Sequence, residues 1–142
     1  LLLYVIGIID KNRIENFKRT KQFLAQDFIF LFNYLTHFSK ILTTPYILTE
    51  VNSFLNQIDN REKDKFFNSF SDVINNLSEH NFTSTVLSKA NDFNKFGLTD
   101  ISIYELSKNT YIVLTDDLKL TSYLSNKSID VINFNNIRTL NW

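Results

Sequence analysis

The chain has 142 residues, with 15 Lys+Arg against 15 Asp+Glu, no Cys, no Met, two Gly and one Pro. That length suits one domain with a core of useful size, and 44% hydrophobic with 15% aromatic content excludes a disordered chain. Zero Cys excludes disulfide scaffolds, thiolate zinc sites and cysteine nucleophiles, zero net charge gives no support for broad capture of nucleic acid or membrane, and so few Gly and Pro argue against a many-turned β-sandwich or barrel.

The apolar run at residues 1–9 is too short to span a bilayer and reads equally as a buried helix start or a strand. It opens without an initiator Met, so a truncated N-terminus is expected. Residues 14–23 are weakly helical. Within 27–38, Phe28, Leu31, Phe32, Leu35 and Phe38 follow a clear 3–4 spacing. Ile41-Leu42-Thr43 is a short strand. Thr44 as N-cap with Pro45 at the first helical position then opens a helix running through Ile58.

Phe66, Phe67, Phe70, Val73, Ile74 and Leu77 define another amphipathic helix. Val86, Leu87, Ala90 and Phe93 mark one ending near Gly97, and Thr99-Asp100 opens the next, with Ser102 and Glu105 at capping-box spacing as a competing start. Residues 111–114 and 129–134 are strands, with a helix over 118–124 between them. Strand, helix, strand with short connections predicts a parallel pair with a right-handed crossover. The expected fold class is helix-heavy α/β.

Four acidic residues stand where such a fold exposes chemistry, since open parallel sheets bind ligands beyond the carboxyl ends of their strands. Asp116 and Asp117 follow the strand ending at Leu114, Asp100 begins a helix after Gly97, and Glu50 lies in the helix after Ile41. Taken singly, the three aspartates suit helix N-termini, where a carboxylate meets the positive end of the dipole. Glu50 falls between Ile47, Leu48, Val51 and Phe54, so its side chain is expected to border the buried face, where a carboxylate needs a partner.

Three segments, Thr44-Pro45-Tyr46-Ile47-Leu48-Thr49-Glu50-Val51, Gly97-Leu98-Thr99-Asp100 and Val113-Leu114-Thr115-Asp116-Asp117, resemble in order the motifs of PIN-domain ribonucleases, a family with many toxins of toxin–antitoxin pairs. The resemblance covers most of residues 1–142. It implies a single PIN-like domain with a parallel sheet flanked by helices, and four acids around one or two divalent ions. By position Glu50 is the second acid and Asp100 the third. The fourth is Asp117 in preference to Asp116, from a pattern of Thr, any residue, acid, with Thr115 as the accompanying hydroxyl. The family's first acid ends a central first strand before a hydrophobic helix. Residues 1–7 resemble that helix, so the strand and its Asp are expected upstream and the domain to be N-terminally incomplete.

What the resemblance implies is metal-assisted hydrolysis of RNA phosphodiesters in the cytoplasm, with Mg2+ or Mn2+ as cofactor, an antitoxin protein as partner, and a homodimer. Hard cations relieve the repulsion among clustered carboxylates and polarise a phosphoryl oxygen. Lys119, two residues past Asp117, is the better-placed substrate contact. The denser basic stretch Lys11, Arg13, Lys18, Arg19 and Lys21 reads as a solvated face, and Phe28, Phe30, Phe32 and Tyr34 as core rather than base-stacking residues. The runner-up is a catalytically inactive PIN-like module that binds RNA or a protein partner. A receiver-like phosphoacceptor domain ranks lower, because there the acid pair follows the first strand.

Overall fold

Aliphatic and aromatic residues at helical spacing make helix the dominant outcome. In the computed structural model, which describes residues 1–141, the chain is 61% helical with short parallel strand pairs. Backbone contacts divide it into two units, Leu1–Thr43 with Ile47–Glu79, and Thr44–Tyr46 with the chain from His80 onward.

The first unit holds α1 (Leu2–Ile9), α2 (Arg13–Asn16), α3 (Ala25–Leu35), β1 (Leu42–Thr43), most of α4 (Pro45–Leu55), α5 (Asn60–Asn75) and β2 (Ser78–Glu79). The ambiguous first run is helix. Leu3, Val5 and Ile6 are buried, and α1 packs on α5, α3 and α2. Gly7 permits the approach to α3, because a Cβ there would run into the Phe28 ring. Asp27, only 1% exposed, starts α3 by accepting from the Leu24 N–H through Oδ2 at 2.8 Å, which satisfies that one oxygen.

Four expectations change in this unit. Helix over 14–23 shrinks to the single turn α2, because Phe17 is extended and the buried Thr20 hydroxyl donates to the Ile14 carbonyl at 2.8 Å. Phe28 and Leu31 enter the core, but Phe32 is 44% exposed and lies parallel to Tyr4 with centroids 6.1 Å apart. The helix expected to reach Ile58 ends at Leu55, and that expected to reach Leu77 ends at Asn75. Leu77 instead leads into β2, which pairs in parallel with β1, Leu42 opposite Ser78 and Thr43 opposite Glu79.

The second unit holds α6 (Ser84–Leu87), α7 (Phe93–Ser107), β3 (Val113–Thr115), α8 (Leu118–Asn126), β4 (Val131–Asn133), α9 (Phe134–Arg138) and a 3-10 turn at Thr139–Asn141. Gly97, at φ 71°, breaks α7 between two helical stretches, a left-handed conformation that glycine adopts without steric cost. As expected, β3 and β4 are parallel, with Val113, Leu114 and Thr115 opposite Val131, Ile132 and Asn133. Phe134 opens α9 instead of ending the strand, because Asn133 caps it by accepting from the Asn135 N–H at 3.0 Å. Ile101, Leu106, Leu120, Leu124 and Phe134 are buried. The Thr44 hydroxyl, also buried, lies 2.9 Å from that of Ser102. Each sheet has two strands among the described residues.

Candidate functional site

The carboxyl end of β3 carries the acid pair. Thr115 closes the strand and its hydroxyl accepts from the Asp117 N–H at 3.2 Å, which turns the chain sharply. Asp117 then takes the N-cap position of α8, with Oδ1 accepting from the Leu120 N–H at 3.0 Å. Its Oδ2 has no hydrogen-bond partner among the described residues, and both Asp116 and Asp117 are exposed. The helix cap and an outward carboxylate oxygen therefore coexist in one residue. The Asp116 carbonyl accepts from Asn135 Nδ2 at 3.1 Å, which ties the acid turn to α9.

Parallel register brings a second set of polar groups to the same end of this strand pair. Asn133, opposite Thr115 and buried, donates through Nδ2 to the Thr121 hydroxyl at 2.9 Å. Asn135 accepts from Arg138 Nε at 3.2 Å. Sequence reasoning passed over Asn133 and Asn135 because asparagine is abundant throughout the chain. The available signal was an Asn-Phe-Asn segment ending a strand parallel to one that ends in Thr-Asp-Asp.

Asp100 belongs to the same unit, half-buried on α7 three residues past the break at Gly97. Lys119 is exposed, with its Nζ donating to the Lys95 carbonyl at 2.7 Å and lying 4.7 Å over the Phe96 ring. Glu50 belongs to the first unit and is exposed on α4. The expectation that it borders the buried face is corrected, because Leu48 and Val51 on either side fill that face instead.

Magnesium and manganese take hard oxygen donors, and the carboxylates of Glu50, Asp100, Asp116 and Asp117 are donors of that type. Among the described residues, however, no group of three or more His, Asp or Glu side chains is gathered to hold a metal ion. The donor chemistry fits a hard divalent ion, and the placement of these residues does not. The basic stretch at residues 11–21 is a solvated face, with Lys11, Lys18, Arg19 and Lys21 exposed, and three of its members make local contacts. Arg13 pairs with Glu62 at 3.2 Å, Arg19 lies 4.8 Å over Phe54, and Lys11 lies 5.9 Å over Phe28.

Comparisons with protein-family models, with curated proteins and with solved structures find no match for this chain. No helix among the described residues is long and apolar enough to cross a membrane.

Proposed function

We propose that this protein is a PIN-like ribonuclease that hydrolyses RNA phosphodiester bonds. The observation that carries it is the exposed pair Asp116–Asp117 at the carboxyl end of a strand in a parallel β–α–β unit, the place where such sheets put ligand chemistry. The order of the three motif segments, the first of which carries Glu50, supports the same reading, with Asp100 as a further acid of the second unit and Thr115 as the hydroxyl that shapes the turn. Carboxylates at these positions would orient water and hold the site's charge, and the divalent ion is an assay variable. The test is incubation of the full chain with single-stranded RNA in Mg2+ or Mn2+ and in chelator. Cleavage should disappear in Asp117→Asn, Asp100→Asn and Glu50→Gln, and the chelator arm reads whether it draws on an ion. Absence of cleavage, or cleavage indifferent to all three substitutions, refutes the proposal.

One observation favours a second reading: among the described residues the carboxylates are not gathered in a group of three. It supports a non-catalytic module that retains RNA without cutting it, and in the same assay RNA would be bound and recovered intact.

A further inference from the structure

A cluster of cations and rings occupies one side of α7 and α8, apart from the acids. Lys119 and Tyr123 lie four residues apart on α8 and share one face, and Lys127 follows at the C-cap of that helix. Phe96 of α7 stacks on Tyr123 with centroids 4.1 Å apart, and Tyr104 meets Tyr123 edge-on at 5.5 Å. The lysines ride on these rings. Besides Lys119 over Phe96, Lys127 Nζ lies 5.5 Å from the Tyr123 centroid and 6.0 Å from that of Tyr104, and Lys108 Nζ lies 4.4 Å from that of Tyr104.

Two carboxylates orient this array. Asp92 pairs with Lys127 at 3.2 Å and Glu105 with Lys108 at 2.6 Å. The hydrogen bond from Lys127 holds the Asp92 carboxyl below its usual range. Burial, and then the charge of Asp92, push the Tyr123 phenol up to about 12. The ammonium groups nonetheless stay accessible, with the Lys108 and Lys127 side chains 44% and 40% exposed. Between them opens a depression of about 270 Å³, whose rim adds the exposed Lys89.

Lysines interleaved with aromatic rings along a groove match single-stranded nucleic acid, whose phosphates follow the cations while bases meet the rings. Eight residues separate Lys119 from Lys127, about 12 Å at about 1.5 Å per residue. That span takes in several phosphates of one strand even at the duplex spacing of about 3.4 Å. The helix that carries this face begins at its N-cap, Asp117.

We propose that this face of α7 and α8 is a track for single-stranded RNA, running from the end of α8 capped by Asp117 to the depression beside Tyr104, with phosphates on Lys119, Lys127 and Lys89. It rests on the reading of the protein as acting on RNA, and it assigns the path of the strand. The exposed first-unit cations Lys18 and Lys21 lack the interleaved rings that set the α7–α8 face apart.

The test is fluorescence anisotropy of a labelled oligouridine titrated with the full chain in chelator, where no cleavage intervenes. Among the described residues Lys89→Ala and Lys119→Ala break no ion pair, the latter removing only the bond to the Lys95 carbonyl and the contact with Phe96, and thermal melts establish that both variants fold. The double variant should bind about tenfold or more weakly, and its slope of log affinity against log salt should fall by about 1.4, at about 0.7 for each lost phosphate contact on a single strand. Lys127→Ala should add to the loss. Wild-type affinity in the folded double variant overturns the track, as does duplex RNA binding as tightly as the single strand. Cleavage assays on the same proteins separate the two proposals. Binding that depends on the lysines without any cleavage keeps the track and retires the ribonuclease. Cleavage unaffected by the lysine substitutions does the reverse.

Discussion

Gly7→Ala should destabilise the protein, although the substitution ordinarily favours helix. Gly7 lies inside α1, where alanine would gain about 1 kcal/mol in helix propensity. An added Cβ, however, would overlap the Phe28 ring, which is 5% exposed and flanked by Tyr4 at 6.4 Å and Phe32 at 6.0 Å. The ring must turn out of the core, or α1 must move away from α3. Overpacking of this kind costs about 1–3 kcal/mol, and loss of a buried Phe side chain costs about 1.5–3 kcal/mol. Set against the propensity gain, the net loss is up to about 2 kcal/mol, a drop in Tm of about 2–4 °C per kcal/mol at this chain length. Urea unfolding reads it as a lower midpoint at unchanged slope. Combining Gly7→Ala with Phe28→Ala should recover part of the loss in a double-mutant cycle. A Gly7→Ala protein about 1 kcal/mol more stable than wild type would refute the close approach of α1 to α3.

Three further outcomes follow from the second unit. Asp117→Ala should cost about 1 kcal/mol through loss of the α8 cap while Asp117→Asn keeps it, so hydrogen exchange at the Leu120 amide separates a capping role from a catalytic one. Ser102 donates its one proton to the Thr99 carbonyl at 2.7 Å, so Thr44 must donate to Ser102. Thr44→Val should therefore cost about 1–3 kcal/mol in urea unfolding while Thr44→Ser costs less. Tyr123, raised from 10.0 to about 12, contributes stability that is whole below pH 10 and is lost as pH rises toward 12. Tyr123→Phe should flatten that alkaline limb, and phenolate absorbance should show one tyrosine titrating late.

These partners show which interactions a sequence can announce. Asp117 as a cap was visible, because its donor is three residues away on the same helix. The Thr44–Ser102 contact was not, because fifty-eight residues separate the two hydroxyls and neither lies in a pattern that requires the other.

Local periodicity determined much of the chain by itself. The 3–4 spacing of Phe28 and Leu31 and of Phe66, Phe70 and Val73 specifies α3 and α5, and the β-branched run before Thr115 specifies β3. The order strand, helix, strand sufficed for a parallel pair, since a short crossover helix returns the chain in the same direction. Only tertiary structure decided the rest. The run at 1–9 is helix because α5 and α3 cover it, and Ser78–Glu79 is strand because β1 offers it a ladder, with no apolar pattern of its own. Phe32 and Glu50 face solvent because Leu31 and Leu48 fill the space beneath. Lys127 rests on Tyr104 and Tyr123 through the packing of α7 against α8. A residue's neighbours along the chain set its preferred backbone geometry, whereas its exposure and its partners depend on which distant segment arrives beside it.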